Sequence, residues 1–170
     1  MSLGAGLSIV LLAPGDEGVV LAGADLFDAP PTAAWTAQFL SCESHHLLAA
    51  VAGDDVVGFV SGVETTHPDK GTEMFLYELS VHPDHRNRGI GRALVEALAD
   101  RARGRGCYGM WVATEPDNTA ALATYRAAGA APPEPCVTLG WAFDLAGPTL
   151  PGPELQLAGW ALAQPHPSQV

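Results

Sequence analysis

The period of hydrophobic and polar positions changes several times along this chain, and each change marks an element. Leu7 to Leu12 reads LSIVLL, an apolar run followed by Pro14, Gly15, Asp16 and Glu17, which predicts a strand, a turn and a helix start. Helical spacing across Asp16–Phe27 and again across Thr32–Leu40 predicts two short helices, parted where Pro30 and Pro31 interrupt the backbone. His46–Ala52 and Val56–Glu64 flank the turn cluster Gly53, Asp54 and Asp55, a β-hairpin signal. A third consecutive strand is expected over Thr72–Val81, after the turn at His67–Gly71 and before His82, Pro83 and Asp84. Leu94, Val95, Leu98 and Ala102 fall on one face of a helix over Gly91–Arg103, stopped by Gly104 and Gly106. A strand over Tyr108–Thr114, a helix over Asn118–Ala128 ending at Gly129, and a last strand over Val137–Leu145 complete the reading.

The order βααβββαβαβ places antiparallel neighbours first and then strand–helix alternation, which calls for parallel pairing. The expected class is α/β (α+β), a mixed central sheet of six to seven strands flanked by about four helices. Residues 1–145 form one domain in this reading, and 146–170 a Pro-rich tail in which Glu154 is the single charge. The Leu155–Trp160 core of that tail leaves three readings open: an extra strand on the domain, a strand on a neighbouring subunit of a homodimer, or disorder.

At 48% hydrophobic and 16% charged, the chain has enough apolar material to fill a core. No run of 18 apolar residues exists and no basic segment precedes an apolar stretch at the N-terminus, so neither membrane spanning nor secretion is expected. Cys42, Cys107 and Cys136 are an odd number without metal-ligand spacing, which fits a reduced, cytoplasmic compartment. His45, His46, His82 and His85 match no ligand pattern either, so no metal is expected. The net charge of −11 argues against a nucleic-acid surface, where phosphates demand clustered cations. Yet Arg86, Arg88, Arg92, Arg101, Arg103 and Arg105 crowd into one short stretch, with only Lys70 and Arg126 elsewhere. Such a chain offers a local anion site within an otherwise acidic body.

The sharpest candidate for that site is Arg86-Asn87-Arg88-Gly89-Ile90-Gly91, between a strand and a helix. Glycines there let the backbone approach a ligand, and the first-turn N–H groups carry the positive end of the helix dipole. The pattern is a pyrophosphate cradle but neither a G-x-G-x-x-G nor a Walker A loop. The alternative is a glycine-capped turn with solvated arginines. The stretch Glu78–Leu94 resembles motif A of the GCN5-related N-acetyltransferases, and Asn118–Gly129 resembles that family's motif B. Within it, Tyr77-Glu78-Leu79-Ser80-Val81 and Trp141–Asp144 are similar to the aminoglycoside N-acetyltransferases that modify a 3-amino group. Glu78 stands where those enzymes tend to have Asp, and the Pro-rich tail runs past their usual end.

The resemblance implies acetyl-CoA as co-substrate and direct transfer of acetyl to a small cationic amine, with an aminoglycoside as one candidate. It places Arg86, Asn87, Arg88, Gly89, Ile90 and Gly91 on the pyrophosphate, and the backbone of Leu79, Ser80 and Val81 along the pantetheine arm. Asn118 would cap its helix, bind the cofactor, or do both. Tyr125 takes the position that protonates the departing thiolate; its alternative is packing on the sheet. Glu78 is an acid within an apolar strand, costly unless it has a partner or a task. It is the expected base or ammonium-binding group, the alternative being an ion pair with an arginine. Glu115, Asp117 and Asp144 are expected on the acceptor side, where surface acids are otherwise merely solvated. Trp35, Trp111 and Trp141 either line a pocket or, for the last two, pack in the core. A protein or peptide amine is a second acceptor reading, and a non-catalytic acyl-CoA-binding regulatory module a third.

Overall fold

The computed structural model describes residues 6–141. Its strands are β1 (Leu7–Leu11), β2 (His45–Ala52), β3 (Asp55–His67), β4 (Gly71–Val81) and β5 (Met110–Trp111), in one sheet ordered as in the sequence. The helices are α1 (Glu17–Ala22), α2 (Ala33–Ser41), α3 (Ile90–Gly104) and α4 (Thr119–Ala127). β1 to β4 pair antiparallel and β5 joins β4 in parallel. The mixed α+β class is as expected, with five strands among the described residues rather than six or seven.

Alternation along β2 explains the layering. Leu48 and Ala50 join the core beneath α3 and α4, whereas Leu47 and Ala49 join the one beneath α1 and α2. A strand side chain changes face at every residue, so one apolar run can serve two cores. On the first face Leu94 and Leu98 of α3 are fully buried against β3 and β4, each contributing about 1.5–3 kcal/mol of apolar burial. The helix sits so close that a Cβ on Gly62 would come within 2.8 Å of Leu98 Cδ1 and Met74 Sδ.

Two expectations about the C-terminal half are corrected. The strand expected over Tyr108–Thr114 contracts to Met110–Trp111. Met74 and Phe75 are the residues of β4 it pairs, so Trp111 is exposed and stacks on Phe75 (ring centroids 4.3 Å apart) instead of entering the core. Residues 137–141 form no regular structure, and Val137, Leu139 and Trp141 are exposed. The rest of that expected strand, Asp144 and the 146–170 tail lie outside the described residues. No helix among the described residues is long and apolar enough to cross a membrane.

Candidate active site

β4 runs in register with β3 until Gly62 faces Leu76 and Ser61 faces Glu78, leaving Tyr77 as one extra residue. This β-bulge reverses the alternation. Before it, Met74 and Leu76 point to the α3 core; after it, Leu79 and Val81 do so. Glu78, which would otherwise share the parity of Met74 and Leu76, is thereby turned to the α1–α2 side, where its cross-strand partner Ser61 also points. Bulges of this kind re-aim a side chain beside a site.

At Glu78 burial acts first, and the negative charge of Asp28 second, to push the carboxyl up to about 7. The alternative ion pair is not formed: no arginine pairs with Glu78 among the described residues. Asp28, on the segment entering α2, is thus a neighbour of Glu78 that the sequence reading did not single out. Its only sequence signal is a pair of acids, Asp25 and Asp28, flanking Leu26 and Phe27 before Pro30.

The same strand has an open edge. β5 pairs with β4 only at Met74 and Phe75, so residues 76–81 have no strand partner on that side among the described residues. Backbone donors and acceptors of a strand edge are a template for an extended ligand, which fits a pantetheine arm along Leu79, Ser80 and Val81. Arg86 closes the lower end, its Nε–H donating to the Val81 carbonyl at 3.0 Å.

Past a short 3₁₀ turn at Pro83–His85, Asn87 (φ 59°) and Gly89 (φ 81°) adopt left-handed backbone around Arg88. For Gly89 this conformation carries no Cβ penalty; Asn87 is among the few side-chain-bearing residues that tolerate it. The turn delivers the chain into α3 with Ile90 buried as its anchor and no side chain capping the helix start. First-turn N–H groups, including those of Ile90, Gly91 and Arg92, are then available to an anion. Arg88 is exposed beside them. Gly91 lies against α4: a Cβ there would meet Thr124 Cγ2 at 3.3 Å, which ties the cradle to the helix that carries Tyr125.

On α4, Asn118 accepts the Ala121 N–H at 3.1 Å, a side-chain cap. Tyr125 is nearly buried in the α3-side core, and burial raises its phenol above the usual value. Glu115 and Asp117 sit in the loop before α4, their carbonyls accepting the Asn118 and Thr119 N–H groups. Among the described residues no group of three or more His, Cys, Asp and Glu is placed to hold a metal. Glu78 and Tyr125 therefore occupy opposite faces of the sheet, with the unpaired edge of β4 between them.

Known proteins are similar to this chain in sequence or in fold. The [Ribosomal protein bS18]-alanine N-acetyltransferase of Escherichia coli is 39% identical over 57 residues, 34% of this chain and 38% of that protein. An N-alpha-acetyltransferase of Mycobacterium tuberculosis is 34% identical over 102 residues, 60% of this chain and 61% of that one. The chain thus spans less than two thirds of the length of these relatives. An aminoglycoside acetyltransferase from an uncultured soil metagenomic sample, solved in complex with sisomicin, has the same fold, with a TM-score of 0.77 at 18% identity over 84% of this chain and 99% of that one. A family model described as Acetyltransferase (GNAT) family matches residues 20–130, the stretch that runs from α1 through the cradle to the end of α4, and the chain belongs to that family.

Proposed function

We propose that this chain transfers the acetyl group of acetyl-CoA to the primary amine of a small cationic molecule, by direct attack of the amine in a ternary complex. One arrangement carries the reading: a carboxyl with its pKa near neutrality and a phenol flank the open edge of β4 from opposite faces. An acyl thioester laid along that edge meets a base on one side and an acid on the other.

The first-turn N–H groups of α3, with Arg88 beside them, hold the pyrophosphate. Leu79, Ser80 and Val81 orient the pantetheine arm by backbone hydrogen bonds. Acetyl-CoA supplies the thioester carbonyl when bound. Glu78 accepts the proton of the acceptor ammonium, a transfer favoured near neutral pH because base and working pH are matched. Tyr125 donates its phenolic proton to the leaving thiolate, and burial keeps that phenol protonated until it is used. Asp28, Glu115 and Asp117 draw a cationic acceptor toward the site, and the Asp28 charge at Glu78 favours an acceptor with more than one ammonium.

The matched relatives favour a second acceptor, the α-amine of a protein, because one is named for an alanine of a ribosomal protein and another as an N-alpha-acetyltransferase. Release of free CoA thiol separates the readings when measured with polyamines, aminoglycosides and a short peptide bearing an N-terminal alanine. Turnover with the peptide alone would replace the small-molecule reading, and no turnover with any amine would remove the transferase reading.

A further inference from the structure

Ser61 stands directly opposite Glu78, in the last pair before the bulge. Directly opposed residues share a face, with Cβ atoms about 4.5–5.5 Å apart. Ser61 is 4% exposed, and its Oγ is buried with no hydrogen-bond partner among the described residues. A buried hydroxyl without a partner costs free energy that an alanine would not. The fold alone gives no reason for it, since neighbouring β3 positions on this face are filled by Phe59 and Val63.

The groups around Glu78 supply the reason. From the segment entering α2 comes the negative charge of Asp28. From β4 come Tyr77 and Ser80, neither charged, and from β3 come Phe59 and Ser61. Among the described residues an ionised Glu78 therefore meets one repelling charge, no salt-bridging cation, and one buried donor that can rotate toward it.

We propose that Ser61 is a positioning residue for Glu78, its hydroxyl donating its hydrogen to the ionised carboxylate so that one oxygen is held and the other is left to take the acceptor's proton. This rests on Glu78 being the base, and the test keeps the two apart. kcat and KM are measured from about pH 5.5 to 9 for wild type, Ser61→Ala, Ser61→Thr, Glu78→Gln and the Ser61→Ala/Glu78→Gln double variant, with one active amine.

Removing a hydrogen bond to a charged group should move the acid limb of kcat/KM upward by about one pH unit. Ser61→Ala would then cost about tenfold well below that limb and little at about pH 9, with the KM for acetyl-CoA unchanged. Ser61→Thr should restore the limb, and the double variant should match Glu78→Gln. A merely structural hydroxyl behaves otherwise: Ser61→Ala leaves the fold equally or more stable and the acid limb where it was, and that result overturns the proposal. Should Glu78→Gln itself retain the wild-type limb, the base assignment fails and Ser61 loses its role with it.

Discussion

Replacing Glu78 by Gln preserves the shape of the side chain and removes its charge and basicity, so the consequences are set by where the carboxyl titrates. Burial, reinforced by Asp28, pushes it up to about 7. The base form then falls about tenfold for each pH unit below that value, to roughly one part in a hundred near pH 5. The variant has no such limb. Dividing wild-type by variant kcat/KM for one amine cancels the titration of the amine itself. On the plateau above about pH 8 the ratio should be ~10² to 10⁴, the loss typical of a positioned base. Near pH 5 it should have shrunk by about a hundredfold. Initial rates of thiol release at saturating acetyl-CoA give this ratio directly, and a ratio constant across the range would refute the base role.

Stability provides an independent reading of the same carboxyl. Its folded pKa lies above the ordinary 4.5, so between these values the native state holds a proton that the unfolded chain has lost. The stability tied to that proton is fully present below about 4.5 and is lost as the pH rises through about 7. Glu78→Gln should therefore be more stable than wild type near pH 8. The gain is about 1 kcal/mol once solvent screening of a partly exposed carboxyl is allowed for, and thermal melts should show it as a Tm higher by about 2–4 °C.

Tyr125→Phe keeps the ring in the α3-side core and removes the hydroxyl, so melts should hardly change while kcat falls by ~10²- to 10⁴-fold; normal turnover would return Tyr125 to a packing role. Gly89→Glu forces a side chain into left-handed backbone and a negative charge onto the helix start, so calorimetric titration should show CoA affinity collapsing in a folded protein. Near the start of β2 His46 is buried, its Nε2 at 2.6 Å from Glu64 Oε1, while Arg105 also binds that carboxylate. Burial first, with the charges of Arg101 and Arg105, holds the ring below its ordinary 6.5, so its share of stability is present above about 6.5 and lost as the pH falls. Melts from about pH 7 to 5 should show His46→Gln, already weaker at pH 7, declining less than wild type; equal slopes would exclude His46 as the source.

Local spacing and the turn residues were enough to place most of the elements. α3 was legible because Leu94, Val95, Leu98 and Ala102 recur at helical period, and all four are buried. The cradle was legible because a strand, two glycines and a helix start are contiguous in the chain, and the left-handed Gly89 uses the freedom its missing Cβ provides. Glu78 stood out as a charge in an apolar strand. What it does there depended on contacts between distant segments. The bulge at Tyr77 has no signal in β4 itself, since it arises only when β4 is aligned on β3; a one-residue slip reverses every side chain beyond it. The two-residue length of β5 and the exposure of Trp111 were equally hidden, because an apolar run reads as a strand whether or not its neighbour stays in pairing distance. Asp28 and Ser61 lie 50 and 17 positions from Glu78 in the sequence. Burial and a neighbouring charge shift a pKa through space, so the chain identified the acid, while only the folded sheet decided its face, its neighbours and its proton affinity.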